Sequence, residues 1–472
     1  MKRILNNLQY ALPIALTVVF VHINRRGIGD LDSWWHVQIG DQIRAGIPFD
    51  DLGKSWSLYS GNWRTSQWLS ELLMSFGNQV FGWRGLLWWR LFFGLLLLLG
   101  FVISLARKNS PPSVIITSII SYFALASGIQ ERPALIGMIF IVVLGASCYQ
   151  IWLTGYISKF WWLWLPATTL WANLHGSWIL APASFSLACA LALTHLRSMK
   201  LFGKSVLLVS SVALAGCLTP IGWHGLLLPF KLQNTAGKFI VEWQRTNLKD
   251  PLAYGLLVLL AILILLWIRG RERPTIQEFI WVLVWTIFAF TAFRNVGPAT
   301  LFIAPVVAHR LNEWFDRVDA TPLSVSKKWL TRPFVISLAV AFVIVFISTL
   351  ATNPLKGVKP RFIAQRLSLS QQDLRIINDY NVSGVLLALG GKNVHLAVDG
   401  RADRFDPKWL AEYLAMLSSP EPNQSLLNQL QPNAAVLRSN SPLIWHFIQS
   451  KHWRKVMTEG PFVLIADPSL KL

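Results

Sequence analysis

The sequence predicts an all-α polytopic membrane protein with a small α/β domain at its C-terminal end. Three observations carry this. Of the 472 residues, 53% are apolar and only 14% are charged, where a soluble domain averages about 25% charged. Uninterrupted apolar runs, close to the ~20 residues that cross a bilayer core, recur up to residue 351. From residue 353 onward the composition becomes that of a soluble chain. The 24 tryptophans agree, since Trp gathers at bilayer interfaces.

The apolar runs read as spans over residues 8–24, 85–106, 112–128, 134–154, 160–174, 178–194, 205–219, 251–268, 276–293, 296–309 and 333–351. That is about eleven transmembrane helices. The first, "ALPIALTVVFVHI", runs into Asn24 and Arg25 without a small-residue cleavage site, so it reads as a span that stays.

The formal charge of +20 is spread in short clusters between apolar runs. That distribution argues for topology signals and against nucleic acid as a partner. With Lys2 and Arg3 cytoplasmic, the same side holds Arg107 and Lys108, Lys159, Arg197 with Lys200 and Lys204, Arg269 with Arg271 and Arg273, and Arg310, Arg317, Lys327, Lys328 and Arg332. The short outer loops hold only Arg132 and Arg294. The expectation is a multi-pass protein of the plasma (inner) membrane, with the N-terminus cytoplasmic and the C-terminal domain extracytoplasmic. Cys148, Cys189 and Cys217 all lie in apolar runs, so they build neither a disulfide framework nor a zinc motif.

Residues 1–352 form the expected membrane domain, and residues 25–84 its first extracytoplasmic loop. That loop is long for a pure connection and carries its own interfacial helices. "SQWLSELLMSFGNQVFGW" places Trp68, Leu69, Leu72, Leu73, Phe76 and Val80 on one face, with Ser70, Glu71, Ser75 and Asn78 off it. "SWWHVQIGDQIRAG" reads as another helix, ending at Gly46. Residues 353–472 form the expected small α/β domain. "GVLLALG", "NVHLAVDG", "AAVLR" and "FVLIAD" read as strands, and "PKWLAEYLAML" and "PLIWHFIQSKHW" as helices.

The unusual polar residues collect on the outer side. Asp30, Asp32, His36, Asp50 and Asp51 lie in the first loop, Glu131 and Arg132 in "GIQERPAL", and Asn173 and His175 in "WANLHGSW". Glu242 lies in "IVEWQR", and Arg294 and Asn295 in "AFRNVGP". Outer loops must hold polar residues somewhere, and an Arg at a helix end can snorkel to the headgroups. Ionisable groups near membrane depth nevertheless usually face a cavity or partner, so their co-location points to one polar chamber at the outer surface.

Together these stretches resemble the GT-C glycosyltransferase superfamily, which includes the protein O-mannosyltransferases and the catalytic subunits of oligosaccharyltransferases. The resemblance runs in order through "DLDSWWHVQIGDQIRAGIPFDD", "SWSLYSGNWRTSQWLSELL", "ERPALIG", "LWANLHGSWIL", "TPIGWHG" with "VEWQ", "FRNVGPATLFIAPVV" and "VDGRADRFDPKWLAEY". It implies a catalytic carboxylate just after the first span, which Asp30 and Asp32 match. One departure is that related loops often carry His and Glu before the Trp-Leu pair, where this chain has Ser66 and Gln67.

Chemistry gives the same expectation by another route. Nucleotide sugars are cytoplasmic, so an outer-face transferase needs a donor already in the membrane, such as a polyprenyl-phosphate sugar. Its acceptor is a glycan, lipid or protein. Asp32 is the expected general base, a role worth roughly 10²–10⁴-fold, with Asp30 as substitute or metal ligand. A divalent metal could be held by Asp30, Asp32, Asp50, Asp51 and His36 through oxygen-rich ligation, although no spacing specifies one. Arg132 and Arg294 suit the donor phosphate. Glu242 is expected to orient an acceptor, while His175 reads equally as an interfacial hydrogen-bonding residue. "DGRADRF" reads either as a sugar or phosphate contact or as a salt-bridged turn. The alternatives to an enzyme are a lipid-linked sugar transporter or flippase, and a non-catalytic envelope assembly protein.

Overall fold

The computed structural model describes residues 11–237, 239–270, 272–318 and 332–472. The charges at Lys2, Arg3, Arg271, Lys327 and Lys328, and the start of the first span, lie outside the described residues. The chain divides into two compact units. The first comprises residues 1–25, 88–226 and 240–352, and the second residues 26–87, 227–239 and 353–472.

The helices up to residue 351 are, in chain order, α1 (Ala11–Asn24), α2 (Ser33–Arg44), α3 (Trp68–Phe81), α4 (Arg84–Ala106), α5 (Pro111–Leu125), α6 (Ala134–Thr154) and α7 (Trp164–Leu174). They continue with α8 (Leu180–Leu196), α9 (Met199–Gly216), α10 (Leu228–Ala236), α11 (Tyr254–Arg269), α12 (Ile276–Thr291), α13 (Val296–Val318) and α14 (Arg332–Ala351). Each expected span therefore coincides with a helix, and α2, α3 and α10 are additional. Among the described residues six helical segments are long and apolar enough to cross a membrane: Arg84–Ala106, Pro111–Gly128, Ala134–Thr154, Gly176–Leu196, Met199–Gly216 and Arg332–Ala351. The protein is a multi-pass membrane protein.

The helix starts of the first unit follow local chemistry. Pro111 and Pro112 open α5, where a missing N–H costs nothing. The Ser198 side chain caps α9 and that of Thr275 caps α12. Two buried ion pairs cross this unit. Arg90 of α4 pairs with Glu131 and donates to Asn24 Oδ1 at 2.8 Å, and Asn24 donates to Thr349 Oγ1 at 2.9 Å. This chain of bonds ties together α1, α4, α14 and the α5–α6 connection. Arg310 grips both carboxylate oxygens of Glu278 at 2.9 and 2.5 Å, and Trp267 donates to the same carboxylate at 2.7 Å. The expected loop charge Arg310 is thus a buried residue within α13, because the helix continues past residue 309.

In the second unit a five-stranded sheet has the order β2-β1-β3-β5-β4. Its strands are β1 (Leu374–Asn378), β2 (Val394–Leu396), β3 (Ala434–Arg438), β4 (Arg454–Glu459) and β5 (Phe462–Ala466). The first three run parallel, and β5 runs antiparallel to both β3 and β4. The helices are α15 (Arg361–Ser368), α16 (Ser383–Leu389), α17 (Pro407–Met416), α18 (Gln424–Leu430) and α19 (Leu443–Lys451). One core gathers Leu410, Tyr413, Leu427, Leu430, Val463 and Ile465.

Two details differ from the sequence reading. "GVLLALG" is helix α16 rather than a strand. A short Leu- and Ala-rich run cannot be assigned by periodicity alone, and Val385 is its one β-branched residue, against three Leu and an Ala that favour a helix. Strands β1 and β4 were not expected. In β1 only one of five residues is incompletely buried, a continuous pattern typical of parallel strands covered on both faces.

The first-loop segment packs on this sheet. Leu58 N–H donates to the Leu396 carbonyl at 2.9 Å, and Leu396 N–H to the Trp56 carbonyl at 2.7 Å. Residues 56–58 thereby cover the edge of β2, which would otherwise present unpaired backbone groups. Helix α3 buries its polar side, Ser70, Glu71 and Ser75, and exposes Leu73, Phe76, Val80 and Phe81. Such a helix is built to face lipid with its apolar stripe. Gly40 of α2 lets the two helices meet, because a methyl there would overlap the Glu71 carbonyl.

Candidate functional site

Within the second unit, the two acidic motifs of the sequence come together. Asp30 is buried, and its Oδ1 accepts the backbone N–H groups of Asp32 at 2.7 Å and Ser33 at 3.3 Å. It thereby sets the start of α2. Asp32, half-buried, accepts Trp35 Nε1–H on Oδ1 at 3.1 Å. The Trp35 indole lies against the His36 ring, with centroids 3.6 Å apart, and meets Trp63 edge-on at 6.3 Å. His36 is buried, and its Nδ1 is 3.0 Å from Glu71 Oε1. Glu71 Oε2 accepts Thr65 Oγ1–H at 2.7 Å. Burial pushes the Glu71 carboxyl up to about 8, against the opposing pull of the Thr65 hydrogen bond and Arg401.

The "DGRADRF" turn is a salt-bridged clasp. Arg401 holds Asp399 with two bonds, Nε to Oδ1 at 2.9 Å and Nη2 to Oδ2 at 2.6 Å. It also donates to the carbonyls of Leu52 and Gly53, both at 3.0 Å. Its guanidinium lies over Trp56 and Trp63, 5.1 and 4.9 Å from their centroids. Trp56 donates to Asp399 at 3.2 Å and Trp63 to Asp403 at 2.9 Å. Burial raises the Asp399 carboxyl, but Arg401 outweighs it and the net shift is downward. Asp403 is pushed up by its burial.

The remaining first-loop aspartates are on the surface. Asp50 pairs with Arg64, whose hydrogen bond lowers its pKa, and Asp51 pairs with Lys54 at 2.9 Å. Among the described residues no group of three or more His, Cys, Asp or Glu side chains is gathered for a metal ion.

Within the first unit, three outer-loop residues meet. Arg132 Nη1 donates to both oxygens of Glu242, at 2.9 and 2.7 Å. Arg294 Nη1 stands 3.7 Å from the same carboxylate, and its guanidinium lies 4.3 Å over the Trp243 ring. Burial raises the Glu242 carboxyl, while Arg132 and Arg294 pull it down and win. Two cations against one carboxylate leave the cluster with a net positive charge. All three side chains keep 21–30% exposure, so an anion can reach them. Glu131, the neighbour of Arg132, turns instead into the buried pair with Arg90. Asn173 donates to the carbonyls of Thr169 and Leu218 at 2.8 and 2.9 Å, and His175 Nδ1 accepts Ser177 N–H at 3.1 Å and meets Ser177 Oγ at 2.7 Å. These two hold the turn after α7.

Sequence reasoning missed Glu71 and Arg90. A signal existed for each. Arg90 is a cation inside a long apolar run, which demands a partner. Glu71 lies on the polar stripe of an interfacial helix, and that stripe must face protein when the apolar stripe faces lipid.

No protein-family model matches the sequence, and no curated protein matches it either. Solved structures do resemble the chain. One is the Archaeoglobus fulgidus oligosaccharyltransferase tethered to an acceptor peptide with the NVT sequon. It has a TM-score of 0.55 at 11% identity, covering 94% of this chain and 70% of that one. Another is ArnT from Cupriavidus metallidurans in the apo state, with a TM-score of 0.51 at 13% identity, covering 97% of each chain. At these identities what is shared is the fold: this chain folds like these two membrane proteins.

Proposed function

We propose that the protein is a membrane glycosyltransferase that moves a sugar from a polyprenyl-phosphate donor to an acceptor hydroxyl on the extracytoplasmic face. The observation that carries this reading is the Asp32 carboxylate. It is half-buried, set by the Asp30 cap and oriented by the Trp35 indole. In the proposed step Asp32 accepts the hydroxyl proton as the acceptor oxygen bonds to the anomeric carbon. The bond from that carbon to the phosphate oxygen breaks, and the phosphate leaves with the electron pair. Taken by itself, the Arg132–Arg294 pair of the first unit has the chemistry to bind a phosphate, because guanidinium offers a fixed fork of donors. The alternation of basic loops supports a cytoplasmic N-terminus and an extracytoplasmic second unit.

The experiment is transfer of labelled sugar from polyprenyl-phosphate donors in membranes, wild type against Asp32→Asn. The proposal expects loss of at least the roughly 10²-fold that a general base supplies. Unchanged transfer in the variant removes Asp32 from the chemistry. Absence of transfer from any lipid donor by the wild type removes the enzyme reading.

A further inference from the structure

We infer that the turn Asp399–Gly400–Arg401 of the C-terminal domain is a positioning element for Asp32, with Gly400 as the residue that permits the Asp32–Trp35 pair. The catalytic meaning of this pair rests on the reading of Asp32 given above, but the contact itself does not.

A methyl group on Gly400 would overlap Trp35 Nε1 and come within 2.7 Å of Asp32 Oδ1. Only a glycine lets the backbone come this close to both partners of that hydrogen bond. The indole cannot swing away cheaply. It is 5% exposed and flanked by His36 and Trp63.

The turn itself is fixed from both sides. On its own domain, the Gly400 carbonyl accepts Tyr380 O–H at 3.1 Å and Ala402 N–H at 3.1 Å. Toward the first-loop segment, Asp399 and Arg401 hold Trp56, Leu52 and Gly53. A rigid turn pressed against a half-buried carboxylate and the indole that donates to it has the geometry of a support, and a functional site needs such a support to hold its geometry. It also gives the C-terminal domain a task that packing alone does not require, since an alanine would fit an ordinary buried turn.

The ionisable groups on the elements around Asp32 include Asp30, His36, Asp41 and Arg44 on its own segment, Glu71 on α3, and Asp399, Arg401, Asp403 and Arg404 on the turn and the residues that follow it. Helix α16, whose Gly384 packs on Leu31 and Trp34, brings none. Gly400→Ala alters none of these charges, so its effect on Asp32 reports the lost hydrogen bond.

The test uses the full chain in detergent, with folding checked by size exclusion. Carbodiimide labelling of Asp32 at one fixed pH is followed by peptide mass spectrometry, which needs no substrate. A carboxylate whose indole partner is pushed aside is more open to the reagent, so Gly400→Ala should speed the labelling of Asp32 several-fold. Trp35→Phe should do the same, and the double variant should be labelled no faster than the faster single variant. Tyr380→Phe, a milder change that only loosens the turn, should act in the same direction by less. A labelling rate that stays in place in folded Gly400→Ala overturns the inference. Effects that multiply in the double variant also overturn it. If Asp32→Asn abolishes transfer while Gly400→Ala leaves the labelling rate unchanged, this inference fails and the base assignment stands. If the labelling rate rises but Asp32→Asn transfers normally, the reverse holds.

Discussion

His36 and Glu71 form a buried pair, Nδ1 to Oε1 at 3.0 Å, that locks helix α2 to helix α3. Because burial holds the Glu71 carboxyl up near 8, it binds a proton over a range where the unfolded chain has released it. The folded state therefore binds more protons than the unfolded state between about pH 4.5 and pH 8, and stability falls as pH rises through that window. The unfolding temperature of the detergent-solubilised protein should drop from pH 5 to pH 8. Glu71→Gln, which keeps the hydrogen-bonding shape without the charge, should flatten this slope.

Arg401 is the second point of strain if disturbed. Its guanidinium is fully buried and satisfied by Asp399, Leu52 and Gly53. Arg401→Ala leaves the Asp399 carboxylate buried without its partner, a change that costs about 3–5 kcal/mol. Thermal unfolding should show a large loss. Replacing both residues, Arg401→Met with Asp399→Leu, should recover part of it. A single variant as stable as wild type contradicts the clasp.

What the sequence made legible is tied to what each residue had to do locally. Spans were readable because an apolar run of bilayer length has few other fates. The Arg132–Glu242–Arg294 group was readable only as three residues on one side. Their meeting spans 110 residues for the first pair, and no local pattern encodes it. The grip of Arg401 on Leu52, 349 residues away, is of the same kind. Its local partner Asp399 is two residues off, which is why a salt-bridged turn is legible in the sequence. Glu71 was placed on the correct side of its helix, but the direction that side faces depends on whether lipid or protein takes the apolar stripe.

The Arg132–Glu242–Arg294 group makes the third prediction. If it receives the donor phosphate, Arg294→Ala should raise the KM for a polyprenyl-phosphate donor by roughly tenfold or more, the scale of one charge-assisted hydrogen bond. The kcat should change less. Glu242→Gln removes the competing carboxylate and should lower the KM for the same donor. The opposite sign for Glu242→Gln, with weaker donor binding, would indicate that the carboxylate holds the two arginines in place.

Asp30 and Asp32 are two residues apart and have the same side chain, yet the geometry separates their roles. Asp30 Oδ1 accepts two backbone N–H groups and caps α2, a task that needs an acceptor oxygen but no negative charge. Asparagine supplies that oxygen. Asp30→Asn should therefore transfer sugar at close to the wild-type rate, while Asp30→Ala should lose about 1 kcal/mol of stability with the cap and lower kcat by displacing Asp32. Asp32 is given the opposite pattern, because a base must take up a proton and an amide cannot. Measuring kcat for Asp30→Asn, Asp30→Ala and Asp32→Asn side by side separates a capping residue from a base. A dead Asp30→Asn with normal folding would mean that the charge at Asp30, and not only its oxygen, is used in the chemistry.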